Sequence, residues 1–401
     1  MTAPRFWLAT ALFHAVLLAA CARVWIAWKD ARRCRRAGRA WLAVLARDVV
    51  VLGLLAGATS VLATAIASLE DLRHLWLGIC ARLMGQAIFG EAIVLGLGLA
   101  LSHRRAGCRW RSATLAAVAL GLLAVYVDAY RIEPDLLRVR HHRVDEAAGL
   151  EDARTIRILH LTDIQTPAIG AHEERALRTG MMMRPDLIVL TGDYVQDAMG
   201  RPTEREAARD LRSLMLRIGF SAPLGVFATE GDVGPPCREV FAGTRVRCLV
   251  DETALVPLPG GESLAITGLS RGRGRERSTA WLARLLAAAP PAAYRLFISH
   301  APDFVDAMPA RVDLVLAGHT HGGQVVLPFF GPPKTAIRLP RLYAGGLHDY
   351  EGIPLHVSRG VGMERGFAVP VRFLCPPEIC VLDWRLPPRL ALTAAVSADG
   401  R

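Results

Sequence analysis

Residues 314–324 read LVLAGHTHGGQ, a short apolar run that ends at glycine and is followed by two histidines one residue apart. A short apolar run bounded by glycine is typical of a buried strand, and the loop after such a strand is a usual place for ligands in α/β proteins. If this loop is extended, His319 and His321 point in opposite directions, so each can reach a different metal ion. The stretch therefore predicts a buried strand that carries two metal ligands at its end.

Five further apolar runs of similar length precede it: Ile156–Leu161, Leu187–Leu190, Val226–Ala228, Leu264–Thr267 and Leu296–Ile298. Amphipathic stretches at about 172–183, 204–218 and 278–289 separate several of these runs. Buried strands that alternate with helical patterns predict a layered α/β domain.

Polar residues follow most of these strands and form one set of potential ligands. In chain order they are Asp163, Gln165, Asp193, Asp232, His300, His319 and His321. A single such residue would be explained as a cap or a turn former, but five successive strand ends that carry them favour a metal site. Carboxylate and imidazole together suit Zn, Fe or Mn ions.

The order of these residues over about 160–325 resembles calcineurin-like metallophosphoesterases, which carry D-x-H, G-D, G-N-H-D/E, a lone H and G-H-x-H. The segment GHTHGGQ, together with residues 357–360 (VSRG) and 372–379 (RFLCPPEI), is similar to a membrane-associated branch of that family. This branch includes lipid A precursor (UDP-diacylglucosamine) pyrophosphohydrolases. The resemblance implies a four-layer α/β/β/α sandwich and two divalent ions, Mn, Zn or Fe.

The resemblance also implies a role for each position. Asp163 and His321 would bind the first ion, Asp193 would bridge both ions, and His300 and His319 would bind the second. A hydroxide held between the ions would attack phosphorus, while the ions neutralise charge on the phosphoryl oxygens.

The catalytic set implied in this way is Asp193, His300 and Arg359. Arg359 lies in a glycine-flanked segment that the family places near the site, so it is a candidate for contact with phosphate.

The chain departs from the family pattern in two places. Gln165 stands where the family has a histidine; its carbonyl can act as a ligand but is a weaker donor to Zn or Fe, which favours a harder ion such as Mn. The G-N-H motif reads Gly231-Asp232-Val233, so Asp232 can add a ligand, whereas Val233 cannot help the leaving group as the histidine does. These departures leave open a catalytically degenerate protein that binds metal or a partner without efficient hydrolysis.

The first third of the chain predicts a membrane region. Four apolar stretches are each close to the 20 or so residues that a spanning helix needs; they are 6–27, 49–68, 83–101 and 112–130. Basic loops between the first and second and between the third and fourth favour a cytoplasmic position for those loops, so both termini and the α/β domain lie outside. Alternatives are a signal peptide for the first stretch and a set of buried soluble helices. Glu91 in the third stretch has either a functional role or a structural one inside the helix bundle.

The predicted organisation is therefore a transmembrane region of about four helices at 1–130, a linker at 131–152, the phosphoesterase domain at 153–385 and a disordered tail at 386–401. Residues 1–143 hold 19 Lys and Arg against 8 Asp and Glu, so the whole net charge of +11 lies in the first third. The balanced remainder argues against a nucleic-acid partner. The eight scattered cysteines make no CxxC pair. Cys237–Cys248 or Cys375–Cys380 could form a disulfide, but we expect buried free thiols.

The sequence thus predicts a phosphoesterase or pyrophosphohydrolase in a bacterial inner membrane, with its domain in the periplasm. Its expected partners are the lipid bilayer and a phosphorylated, lipid-linked substrate. A transporter with a regulatory domain is the weakest of the alternatives.

Overall fold

The computed structural model describes residues 89, 92–105, 107, 109–145, 153–196, 203–270, 279–308, 312–365 and 369–389. These residues fall into two compact units: the first ends at Val127 and also takes in Val369, and the second begins at Asp128 and contains the rest.

The first unit contains helices α1 (Ala92–Arg105) and α2 (Arg109–Val127). They pack where Gly96 lies beside Ala119, which is 1% exposed. The helical segment Arg109–Asp135 is long and apolar enough to cross a membrane, by length and composition alone. It is the one such helix among the described residues. The stretches 6–27 and 49–68 and Glu91 lie outside those residues, so a region of four spanning helices stays a prediction.

The second unit has two six-stranded mixed sheets. The first, in the spatial order β1-β12-β2-β3-β4-β5, contains β1 (Arg138–Asp145), β12 (Glu378–Leu386), β2 (Arg154–Leu161), β3 (Leu187–Thr191), β4 (Val226–Thr229) and β5 (Val246–Cys248). The second, in the order β10-β11-β9-β8-β7-β6, contains β10 (Gly346–Tyr350), β11 (Ile353–Val357), β9 (Leu314–Ala317), β8 (Tyr294–Ile298), β7 (Ser263–Gly268) and β6 (Glu252–Pro257).

Four α-helices occur among the described residues of this unit: α3 (Ala171–Met182), α4 (Glu204–Ile218), α5 (Cys237–Val240) and α6 (Thr279–Leu286). Helix α4 begins at Thr203, whose side chain accepts from the Glu206 backbone N–H while Glu206 bonds back to Thr203. It ends at Gly219, which has the left-handed conformation (φ 65°) common after helices.

Three large apolar cores of the described residues lie between the layers. Alternate residues of β2 and β3, such as Ile158 and Leu187, pack between the sheets against Leu296 and its neighbours. The opposite face of the first sheet, with Leu159, packs against α3 and α4. The outer face of the second sheet packs against α6 through Leu282 and Leu286. This arrangement agrees with the predicted α/β/β/α layering.

The segments predicted as linker and tail both contribute to the sheet. Strand β1 lies within the predicted linker and pairs in parallel with β12 over eight residues. Strand β12 includes Leu386, the first residue of the predicted tail, and the Arg389 backbone N–H donates to Glu262. Residues 390–401 lie outside the described residues.

The expectation of free cysteines is wrong for one pair. Cys237 and Cys248 form a disulfide that joins α5 to β5. Cys375 and Cys380 are free and buried, as expected. The sequence offers no CxxC signal for the bonded pair, because the two cysteines come together only when β5 adds to the sheet edge.

Candidate metal centre

The predicted ligands lie at the carboxyl ends of strands in both sheets. Asp163 and Gln165 follow β2, Asp193 follows β3, and Asp232 follows β4, three parallel neighbours of the first sheet. In the second sheet, His300 follows β8, and His319 and His321 follow β9; these two strands are also parallel neighbours. Because strand ends from both sheets meet at one edge, residues more than 150 positions apart become neighbours.

Several of these residues have left-handed backbone conformations that are unusual outside glycine. The φ angles are 48° at Asp163, 36° at Gln165, 50° at Asp193, 70° at His319 and 48° at His321. Non-glycine residues in this region carry strain that the surrounding fold must hold, and such residues cluster at functional sites. The strain here falls on five of the seven predicted ligands.

One side of the centre joins His300, His319 and Asp232. The Nε2 atom of His300 lies 3.4 Å from Asp232 Oδ1, and His319 Nδ1 lies 3.3 Å from Asp232 Oδ2. The outer ring nitrogens donate to backbone carbonyls, His300 Nδ1 to Thr191 at 2.8 Å and His319 Nε2 to Ala336 at 3.3 Å. These bonds direct the opposite ring nitrogens at the centre, as is usual for metal-binding histidines.

The other side joins Asp163, Asp193 and His321. Asp163 Oδ2 accepts from the Thr162 hydroxyl and the His319 backbone N–H, whereas Oδ1 is buried without a hydrogen-bond partner. His321 Nε2 lies 3.4 Å from that oxygen. Asp193 Oδ2 lies 3.2 Å from His300 Nε2, so the two sides meet at Asp193 and His300.

Three buried polar atoms of these ligands have no hydrogen-bond partner among the described residues. They are Asp163 Oδ1, Gln165 Oε1 and His321 Nδ1. An unpaired buried polar atom costs roughly 1–3 kcal/mol, and two of these are carboxylate and amide oxygens, which a cation satisfies. The donor set therefore fits divalent ions. Two groups that share His300 have ligand atoms within 4.8 Å of one another: Asp232, His300 and His319, and Asp163, Asp193 and His300.

Glu364 holds Gln165 in place, and the sequence did not single it out. Gln165 Nε2 donates to Glu364 Oε2 at 2.7 Å, and Gln196 Nε2 donates to Glu364 Oε1 at 2.8 Å. The Glu364 backbone N–H in turn donates to the Gln324 side-chain oxygen. Gln324 belongs to the GHTHGGQ motif, but no pattern in the sequence marks Glu364 as its partner.

Burial and mutual charge shift the pKa values of the carboxylates in opposite directions. Burial raises the pKa of Asp163 to about 7, in spite of the opposing charge of His300. Burial also raises the pKa of Asp193, the charge of His300 opposing it. Burial opposes ionisation of Asp232 as well, but hydrogen bonding to His300 and the charges of His300 and His319 outweigh it and lower that pKa.

The pKa values of the histidines also diverge. Burial alone would lower the pKa of His300, but the charge and hydrogen bond of Asp193 raise it well above 6.5. Burial and the Arg372 charge lower the pKa of His321 well below 6.5.

A cavity of about 90 Å³ lies against the His300 and His319 side. It is lined in part by Glu230, Asp232, Ser270 and Phe304. The Val233 backbone N–H donates to Asp193 Oδ1 at 3.0 Å, so Val233 keeps a structural role.

Arg359 packs its aliphatic stem beside Gly322, the neighbour of His321. Its backbone N–H donates to Glu378, and its Nε lies 4.0 Å from Glu378 Oε2. Its contact with phosphate stays a prediction.

The segment that carries the site matches a known protein family. Residues 156–323 match the family described as Calcineurin-like phosphoesterase. This part of the chain is a calcineurin-like phosphoesterase domain, and the protein is a hydrolase that acts on phosphoesters.

Three curated relatives align with this chain over most of their own length. The chain is 27% identical over 280 residues to the metallophosphoesterase YkuE of Bacillus subtilis, which covers 67% of this chain and 92% of that protein. It is 29% identical over 292 residues to the phosphodiesterase YaeI of Escherichia coli (69% and 97%). It is also 23% identical over 335 residues to the UDP-2,3-diacylglucosamine pyrophosphatase LpxG of Chlamydia trachomatis (68% and 96%).

Proposed function

We propose that this protein is a metal-dependent phosphoesterase or pyrophosphohydrolase with two divalent ions, acting at a membrane surface on a lipid-linked substrate. The observation that carries the two-metal assignment is the meeting of two ligand groups at Asp193 and His300, with 3.2 Å between Asp193 Oδ2 and His300 Nε2. Asp163, Gln165 and His321 would hold the first ion. Asp232, His300 and His319 would hold the second, and Asp193 would contribute to both.

Neighbouring residues fix the orientation of the Asp193 carboxylate before substrate binds. Backbone N–H groups of Asp232 and Val233 donate to Asp193 Oδ1 at 2.8 and 3.0 Å, so the bridging carboxylate has a fixed orientation. Close packing also fixes Gly231, because a Cβ atom there would collide with Asp193 Oδ1. When bound, two divalent ions supply an activated water and positive charge against the phosphoryl oxygens.

Protonation of the leaving group is the step for which the site offers the fewest suitable side chains. Val233 has no proton to give, whereas Glu230 lines the cavity beside His300 and His319. We assign Glu230 as the proton donor for leaving groups that reach this cavity. Leaving groups of low pKa, such as a nucleotide phosphate, need little help from such a donor.

Two observations support a site at a membrane, and a third supports a site outside the cytoplasm. The segment Arg109–Asp135 is long and apolar enough to span a bilayer. The Cys237–Cys248 disulfide is typical of oxidising compartments. One relative is named for a pyrophosphatase acting on UDP-2,3-diacylglucosamine, a lipid-bearing nucleotide. The membrane segment and the relative support a bacterial inner-membrane protein with a lipid-linked substrate, and the disulfide supports a periplasmic position for its domain.

The test uses the full chain purified in detergent and loaded with Mn²⁺, Zn²⁺ or Fe²⁺ in turn. We expect two ions per chain and hydrolysis of an aryl phosphodiester, with higher kcat/KM for a nucleotide-linked lipid than for its soluble nucleotide analogue. No turnover of aryl phosphodiesters, phosphomonoesters or nucleotide-linked lipids with any of the ions would refute the enzymatic proposal. Equal kcat/KM for lipid and soluble analogue would refute only the lipid-linked substrate.

Gln165 and Val233 favour one alternative, a protein that binds metal or a partner without efficient hydrolysis. Comparison of the wild-type protein with Asp193→Asn in cells separates the two. A cellular phenotype that survives this substitution supports the alternative, and one that disappears together with in vitro hydrolysis supports the enzyme.

A further inference from the structure

A second cluster of potential ligands lies between the two sheets, apart from the residues of the phosphoesterase centre. His142 on β1 and Cys380 on β12 come from the first sheet, and His356 on β11 comes from the second. One ligand atom from each lies within 4.8 Å of the others. We call these three residues the inter-sheet cluster.

His160 on β2 orients one member of the inter-sheet cluster. Its Nε2 pairs with the Thr191 hydroxyl at 2.8 Å, and its Nδ1 faces His356 Nδ1 at 3.0 Å. Two ring nitrogens at this distance share one proton, because two N–H groups would repel. Both nitrogens of His160 are therefore satisfied, and a packing role explains this residue completely.

Packing does not explain His356. Its side chain is fully buried, and its Nε2 has no hydrogen-bond partner among the described residues. Leaving such a nitrogen unpaired in the interior costs roughly 1–3 kcal/mol. If His356 Nδ1 donates its proton to His160, Nε2 is left with a lone pair, which is the form that binds a metal.

The remaining ligands have the right chemistry for a thiophilic ion. The Cys380 side chain is fully buried; its thiol donates to Glu378 Oε1 at 3.5 Å, which can accept the proton, and its sulfur lies 3.7 Å from the Ser358 hydroxyl. The His142 ring centroid lies 4.8 Å from that of His356, and His142 is half-buried. One thiolate and two imidazoles suit Zn²⁺, whereas the carboxylate-rich phosphoesterase centre also suits harder ions.

We propose that the inter-sheet cluster binds one zinc-class ion through Cys380 Sγ, a nitrogen of His142 and His356 Nε2. Metal bonds of 2.0–2.3 Å place tetrahedral ligand atoms about 3.3–3.8 Å apart, so the present spread of up to 4.8 Å has to close by about 1 Å. Strand β1 is at the edge of its sheet and can make that movement. Binding releases the thiol proton of Cys380 to solvent, and water at the half-exposed His142 side fills the fourth position.

The ion would join three strands from both sheets, β1, β12 and β11. It would therefore hold the edge strand β1 against the rest of the domain. This role does not depend on phosphoester hydrolysis, so the two proposals succeed or fail separately.

Cobalt is the probe, since Co²⁺ bound to a thiolate gives a near-ultraviolet charge-transfer band that Co²⁺ on carboxylates and imidazoles does not give. The full-length wild-type protein in detergent is titrated with Co²⁺, then with Zn²⁺ as competitor. We expect a thiolate band whose final amplitude corresponds to one thiolate-bound Co²⁺ per chain, whatever the occupancy of the phosphoesterase centre, and which disappears on addition of Zn²⁺. Absence of the band in the folded wild-type protein would overturn the proposal without any variant.

Variants assign the band. Cys380→Ser should abolish it, and His142→Gln should weaken Co²⁺ binding at this site at least tenfold. Cys375→Ser, the other buried free cysteine of the domain, should keep it. A band that survives Cys380→Ser belongs to another cysteine and refutes the site. If Cys380→Ser does not fold, the half-exposed His142→Gln decides, and an unchanged affinity there also refutes it.

Discussion

Gln165 Nε2 donates to Glu364 Oε2 at 2.7 Å, and this contact determines which way the Gln165 amide faces. A carboxylate accepts but does not donate, so the NH₂ group has to face Glu364 and the carbonyl oxygen has to face away. That oxygen is buried and without a hydrogen-bond partner among the described residues, as are Asp163 Oδ1 and His321 Nδ1. Glu364 therefore fixes the orientation of the Gln165 carbonyl oxygen, which is the atom that would bind the first ion in the proposed site.

Glu364→Gln should weaken binding of the first ion and leave binding of the second ion intact. The variant no longer enforces the amide orientation, and it loses the negative charge behind the ligand. Loss of such an outer contact typically costs 10–100-fold in metal affinity. Competition with a chelating dye, using Mn²⁺ and Zn²⁺, measures both affinities.

The matched control for this change is Glu351→Gln, because Glu351 is exposed. We expect it to leave both affinities unchanged. Equal loss of both ions in Glu364→Gln would show that Glu364 supports the domain as a whole and not Gln165.

Asp193→Asn should remove turnover while keeping the fold. The asparagine oxygen can still accept from the Asp232 and Val233 backbone N–H groups, which Asp193 Oδ1 does now. The atom facing His300 becomes an NH₂ group and loses its charge. We expect kcat/KM to fall at least 10³-fold, a loss of about 4 kcal/mol in transition-state stabilisation, with fewer than two ions bound. Retained hydrolysis with one ion would contradict the bridging role.

Val233→His should add a second proton donor beside Glu230 and help poor leaving groups selectively. Val233 follows Asp232, whose carboxylate already contacts His300 and His319. General acid help is typically worth 10²–10⁴-fold, so we expect a gain in kcat of at least tenfold for an alkyl phosphodiester. An aryl phosphodiester, whose leaving group needs no proton, should change less than threefold. Glu230→Gln provides the reverse experiment, and equal effects on both substrates in either variant would argue against proton donation.

The strands of the predicted sheet and the ligands at their ends could be derived from the sequence, because both depend on local pattern. All six apolar runs form strands, and the amphipathic stretch 204–218 is α4 residue for residue. Short apolar runs and glycine-flanked histidines carry this information without any knowledge of distant contacts.

Other features depend on contacts that no local pattern encodes. The sequence of β1, RVRHHRVD, has an alternating, largely exposed face and therefore resembles a linker. It forms a strand because β12 provides a partner. Glu364 and the inter-sheet cluster likewise arise from residues that are about 20 to 240 positions apart in the chain.

The Cys237–Cys248 disulfide should stabilise the edge of the first sheet. Closing a loop of 11 residues' separation is worth about 3 kcal/mol in the chain-entropy account. We expect the Cys237→Ser/Cys248→Ser protein to melt several degrees lower than the wild type, and a reductant to lower the wild-type Tm by a similar amount. The same reductant should leave the double variant unchanged; a further fall there would point to another disulfide.

The stability of the metal-free domain should depend on pH through Asp163. Burial raises its folded pKa to about 7, above the ordinary value of 3.8. Between these values the folded state binds more protons than the unfolded state, so this contribution is fully present below pH 3.8 and is lost as pH rises through 7.

Asp163→Asn removes that ionisation, so its Tm relative to the wild type, measured with a chelator, should be several degrees more favourable at pH 8 than at pH 5. The exposed Asp210→Asn, on α4, is the matched control for losing one carboxylate elsewhere. With Mn²⁺ or Zn²⁺ in excess the order should reverse at pH 8, because the ionised Asp163 then binds a cation that asparagine holds weakly. A Tm difference in the chelator series that does not change between pH 5 and pH 8 would show that Asp163 does not titrate in this range in the metal-free fold, and would contradict a pKa raised to about 7.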